Sequence, residues 1–223
     1  MFRSLGLLLL LAGCVAHPET WDVPEDAATA EQRAQVEELK KEMEADFADA
    51  GRDLNLNQVR IIVADIGDRY AGACYKDDQG RPLAIALHPN ALAHRTSPVF
   101  LPLAYTTLLH EVGHCYLNRD HETDYVTVPG QILMLDLGES SPLKRPFSRL
   151  RATVMNDDNR EPLPTVLRPY YILEVLGEAR ATAWEDLAPF ASFTIETAAV
   201  PGSVVDEGTL PVVTAPPVVG AAE

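Results

Sequence analysis

Apolar residues change their rhythm several times along this chain, and each rhythm predicts a different kind of segment. Leu5 to Ala12 is a short unbroken apolar run behind one basic residue, Arg3. Residues 15–26 (VAHPETWDVPED) are polar and punctuated by proline, as expected of a tether. From 27 to 50, Val36, Leu39, Met43 and Phe47 return at steps of three and four among Ala, Glu, Lys and Gln. That spacing predicts a helix with one apolar face, and Gly51 is its expected stop. Gln58 to Ile66 (QVRIIVADI) is rich in β-branched residues and reads as a strand. Tyr70 to Tyr75 and Leu83 to Leu87 flank the turn-rich Lys76-Asp77-Asp78-Gln79-Gly80, which predicts a hairpin. A second helix is expected from Leu101 to Leu117, started by Thr96-Ser97-Pro98 or by Pro102. A last helix is expected over Thr165 to Leu187. From Phe190 onward Val, Ala, Pro, Gly and Thr follow without period, which predicts a disordered or loosely extended tail.

These rhythms divide the chain into an export signal (1–13), a tether (14–26), one domain (27–189) and a tail (190–223). The expected fold is α+β: a backing helix, a small mixed sheet, an active-site helix and a C-terminal helix. With 223 residues, 47% of them hydrophobic, the chain can bury a sizeable core. The 33 acidic residues exceed the 18 basic ones, and the net charge of −15 repels a phosphate backbone, so no nucleic-acid partner is expected. The N-terminal run is too short to span a bilayer, which needs about 20 apolar residues. Its end, Leu11-Ala12-Gly13-Cys14, resembles a bacterial lipobox. That resemblance implies cleavage before Cys14, lipid on Cys14 and attachment to a membrane. Val15 rather than Asp in the next position favours the outer membrane, by analogy with enterobacterial sorting.

The three cysteines then resolve into one lipid attachment and one pair. In an oxidising compartment Cys74 and Cys115 are expected to form a disulfide, closing a loop of about 42 residues worth about 4 kcal/mol on chain-entropy grounds. Buried thiols and metal ligands are the other readings.

His110-Glu111-Val112-Gly113-His114 is an H-E-x-x-H sequence on the expected second helix. A four-residue step turns about 40° past a full circle, so both imidazoles face one side and can share a zinc ion. Glu111 lies about 100° around from His110, placed to act as general base on the attacking water. A catalytic zinc needs a third protein ligand. On a continuous helix His121 would sit about 16 Å along the axis from His110, too far to share an ion. The helix must therefore end and fold back, and Asn118 tolerates the left-handed backbone that ends one.

The pattern resembles the metzincin zinc peptidases, although Asp120 occupies their third-ligand spacing and Leu117 their glycine position. The longer string H-E-V-G-H-C-Y-L-N-R-D-H is similar to a group of bacterial zinc-metallopeptidase lipoproteins, which also carry a segment like Thr153-Val154-Met155-Asn156. The resemblance covers about residues 55–180 and implies a metzincin-like fold with an inserted loop within 122–152. It implies His110, His114 and His121 as zinc ligands, and Met155 in a methionine turn beneath them. Asp120 is the alternative third ligand, and Glu174 or Glu178 on the last helix is a third option. Met134 is the runner-up for the turn, and core packing is the plainer reading of both methionines. A Cys74–Cys115 bridge would pin the active-site helix to the hairpin. His88 and His94 read as surface or loop residues, and His17 as part of the tether.

The expected function is a zinc-dependent peptidase of the bacterial envelope, anchored by lipid, with a peptide or protein substrate that an exposed sheet edge can hold extended. The alternative is a non-catalytic envelope lipoprotein with a structural zinc or a partner-binding role. An open fourth coordination position separates the two.

Overall fold

The computed structural model describes residues 22–93, 101–136, 143–156, 163–190 and 212–213, and the backbone alone for 129–136, 143–148 and 212–213. Residues 1–13, Cys14, His17, His94, the Thr96-Ser97-Pro98 signal and most of the tail lie outside the described residues, as does the side chain of Met134. The fold is α+β, built from two small sheets and several helices.

Helix α1 spans Ala30–Asp49. Thr29 caps it, accepting from the Gln32 N–H while the Gln32 side chain accepts from the Thr29 N–H, a reciprocal box that satisfies two otherwise orphaned donors. Val36, Met43 and Phe47 are buried, Leu39 is half-buried, and Gly51 follows the helix at φ 73°. The expected strand at 58–66 is shorter than its composition suggested. Asn55 caps a 3-10 turn over Leu56–Gln58, and only β1, Ile61–Val63, pairs in a sheet. Asp26, the last residue of the expected tether, accepts from the Val63 N–H, and the Ala27 N–H donates to the Val63 carbonyl. The folded unit therefore takes in Asp26 and covers the outer edge of β1.

Strands β2 (Gly72–Lys76) and β3 (Pro82–Leu87) form the expected hairpin, with Ala73 opposite Ala86. The first sheet has the order β1-β3-β2, with β1 parallel and β2 antiparallel to β3. It is the small mixed sheet, and β2 forms the edge away from β1. Helix α2 (Pro89–Ala93) follows, and His88 is not a surface residue: it is buried, its Nδ1 accepting from the Asn90 N–H.

Helix α3, Leu103–Leu117, begins after Pro102 and packs on β2 and β3. Its Leu108, Leu109 and Val112 are fully buried, and each contributes about 1.5–3 kcal/mol of apolar transfer. Where an inserted loop was expected within 122–152, the described residues form a long antiparallel pair, β4 (Tyr125–Asp136) with β5 (Leu143–Arg151). Its register shifts between Thr127 and Ile132, where Pro129 and Gly130 interrupt regular pairing. Val212–Val213 of the tail, β6, pairs parallel with β4.

The expected last helix is broken. A 3-10 turn over Thr165–Leu167 leads into α4, Arg168–Val175, which ends before Gly177 at φ 73°, and α5 is only Trp184–Leu187. The Tyr170 and Tyr171 hydroxyls donate to the Ala152 and Arg151 carbonyls, which ties α4 to the segment after β5. One apolar core joins α1, α3, α4 and the inner face of the first sheet through Met43, Phe47, Ile85, Leu108, Met155 and Tyr171.

Candidate metal centre

Helix α3 ends at Asn118, the one non-glycine residue with positive φ among those described (51°). The left-handed residue turns the chain back, and the Arg119 N–H donates to the Gly113 carbonyl, closing the helix end. Lys76 on β2 donates to the Asn118 side-chain oxygen at 2.9 Å. The reversal returns His121 to the face that carries His110 and His114.

His110, His114 and His121 form a group that can hold a metal ion. Their Nε2 atoms stand 3.0 Å (His110–His114), 3.1 Å (His114–His121) and 3.2 Å (His110–His121) apart. Three nitrogens bound to one tetrahedral zinc stand about 3.3 Å from each other. The outer nitrogens show which tautomer is present. His110 Nδ1 lies 2.8 Å from the Val154 carbonyl, and His114 Nδ1 lies 2.7 Å from the Arg119 carbonyl. A carbonyl only accepts, so each Nδ1 carries the hydrogen and each Nε2 presents a lone pair inward. Lone pairs converging at such distances repel one another unless a cation sits between them, so the donor set fits a metal ion.

Burial keeps His110 and His114 in the neutral form that a metal ion requires. It pushes the His110 pKa down to about 3, partly offset by the Val154 hydrogen bond, and lowers that of His114 as well. His121 is exposed, which leaves one side of the group facing solvent.

Glu111 is 6% exposed. Burial pushes its pKa up to about 8, and the Cys74 N–H, bonded to the carboxylate, pulls it back. A Cβ on Gly72 would lie 2.9 Å from Glu111 Cγ and 3.1 Å from its Oε1. Strand β2 thus needs a glycine there to run so close to Glu111. The sulfurs of Cys74 and Cys115 lie at disulfide bonding distance, with Cα atoms 5.6 Å apart. That bridge ties β2, which holds Glu111, to α3, which bears Glu111 and two of the histidines.

Met155 is fully buried in the turn at Val154–Met155, with its sulfur against Gly113. It packs against α3 at the residue before His114. Asp120 is exposed and outside the histidine group. Glu178 also lies outside that group and pairs with Arg52, its Oε1 2.9 Å from Arg52 Nε. Glu174 is buried beyond the histidines, bonded to Arg119, Thr153 and Val154 rather than grouped with them. Gly72, Gly113 and Arg119 were not singled out from sequence. Gly113 carried a signal: glycine inside a helix costs about 1 kcal/mol against alanine, which marks a close approach.

No protein-family model, curated protein or solved structure matches this chain. Among the described residues no helix is long and apolar enough to cross a membrane.

Proposed function

We propose that this chain is a zinc-dependent peptidase of the bacterial envelope. The observation that carries the reading is the convergence of three inward-facing Nε2 atoms, open to solvent at His121, on the helix that carries the buried Glu111. Only three ligands group there among the described residues, the number that leaves a coordination position for chemistry. A bound zinc ion would supply Lewis acidity, polarising a carbonyl and acidifying a water.

The protein residues divide the remaining work. His110, His114 and His121 hold the ion. Glu111 takes the proton of the attacking water and delivers it to the departing amine. Its raised pKa suits both halves of that task, because a base near the working pH also returns the proton readily. Strand β2, the sheet edge beside α3, can take an extended peptide as an added strand. The paired cysteines suit an oxidising compartment, consistent with the signal and lipobox-like start.

The test is digestion of a broad peptide library by the zinc-loaded protein and by a zinc-loaded Glu111→Gln variant. The reading predicts cleavage by the first and its loss in the second at unchanged metal content. Equal cleavage by both would remove Glu111 from the chemistry.

A further inference from the structure

Both histidine-orienting carbonyls belong to residues that Glu174 holds. Its carboxylate is 3% exposed. Oε2 accepts from the Val154 N–H at 3.0 Å, and the carbonyl of that residue accepts from His110 Nδ1 at 2.8 Å. Oε1 accepts from Arg119 Nη2 at 2.9 Å, and the Arg119 carbonyl accepts from His114 Nδ1 at 2.7 Å. Oε1 also accepts from the Thr153 hydroxyl at 2.8 Å, and Thr153 Oγ1 in turn accepts from the Met155 N–H at 2.9 Å. Arg119 is clamped further by the Glu174 carbonyl at 2.5 Å and the Val175 carbonyl at 3.1 Å.

We infer that Glu174 is the positioning residue of the metal centre, a single buried carboxylate that sets the orientation of His110 and His114 and anchors the Met155 turn. The two histidines are four residues apart on one helix, but the chain segments that orient them come from either side of β4 and β5. Those segments are distant in sequence; the Glu122 N–H donates to the Met155 carbonyl and Arg151 donates to the Val154 carbonyl, and Glu174 on α4 bonds both Val154 and Arg119. A buried carboxylate satisfied only to stabilise the fold could bond any nearby donors. Here each of its donors belongs to a residue that leads on to a ligand or to the Met155 turn. A glutamine cannot replace it. Its amide offers one acceptor end, so either the Val154 N–H or the Arg119 guanidinium meets an N–H donor instead.

This inference rests on the histidine group binding a metal. The experiment compares the full chain with its Glu174→Gln variant by chelator competition for zinc and by NMR of the imidazole Nδ1–H signals in the zinc-loaded state. Glu174→Gln is expected to weaken zinc binding about 10- to 100-fold and to speed exchange of the Nδ1–H protons of both His110 and His114. Glu178→Gln, on the surface pair with Arg52, should change neither. Zinc affinity within about twofold of wild type, with both signals unmoved, overturns the inference and leaves the metal site standing. A wild-type chain that binds no zinc defeats both. Should Glu174→Gln fail to fold, Arg119→Met removes the Arg119 arm, together with its bonds to Glu122 and to the Glu174 and Val175 carbonyls, and leaves the Val154 arm in place. It should move the His114 signal, and an unmoved His114 signal would refute the arrangement.

Discussion

The sulfur of Met155 rests against the bare Cα of Gly113, between the two histidines of α3, where a methyl group would collide with it. Helix propensity alone favours alanine at that position. The packing reverses the preference, because Met155 is fully buried and the Val175 side chain closes the other side. Gly113→Ala is therefore expected to destabilise the protein by about 1–3 kcal/mol, the cost of overpacking. Urea unfolding of the metal-free chain measures it. In a Met155→Ala background Gly113→Ala should cost less than in wild type, since the methyl then enters the space vacated by the side chain.

Asn118 supplies the reversal that delivers His121. Asn118→Val forces a β-branched residue to φ 51° and should cost about 1–2 kcal/mol, with a parallel fall in zinc affinity. Asn118→Gly should stay near wild type in stability. Equal zinc affinity in the valine and glycine variants would show that the turn does not set the ligand.

The Cys74–Cys115 bridge closes a loop with a sequence separation of 41. Replacing both cysteines by serine should lower stability by about 4 kcal/mol. It should also loosen the Cys74 N–H from Glu111. Thiol labelling of the unfolded, unreduced chain should find neither Cys74 nor Cys115 reactive.

Glu111 gives the metal-free protein a pH dependence of defined sign. Its pKa rises from the ordinary 4.5 to about 8 on folding, so between those values the folded state holds the extra proton. Stability from this group is present below pH 4.5 and lost as pH rises towards 8. Metal-free Glu111→Gln should lack that loss and exceed wild type by on the order of a few kcal/mol at pH 8. Parallel stability–pH curves for the two proteins would contradict the burial of a neutral carboxyl.

Much of this centre was legible in the sequence because its signals are local. The helix expected over Leu101 to Leu117 carried H-E-x-x-H, α3 runs from Leu103 to Leu117, and Asn118 marked its end. The hairpin around Gly80 was equally local, with that glycine at φ 74°. What was not legible depends on distant partners. The long link between the two motifs suggested an inserted loop within 122–152, yet β5 pairs with β4 on both sides of Pro129 and Gly130. Gly177 broke the helix expected over 165–187, because the apolar face of Tyr170, Tyr171 and Val175 ends there. Glu174 stood, with Glu178, as a third option for the last zinc ligand, from its type and its place on the expected last helix. Only the fold shows its carboxylate turned to Val154 and Arg119 instead.

The central claim is that His110, His114 and His121 hold one metal ion. Zinc stoichiometry of the chain and of its His121→Ala and Asp120→Ala variants, measured after dialysis against a weak chelator, tests it most directly. The geometry predicts one bound zinc per chain in wild type and in Asp120→Ala, and its loss in His121→Ala. Full zinc content in His121→Ala, or loss only in Asp120→Ala, would contradict it.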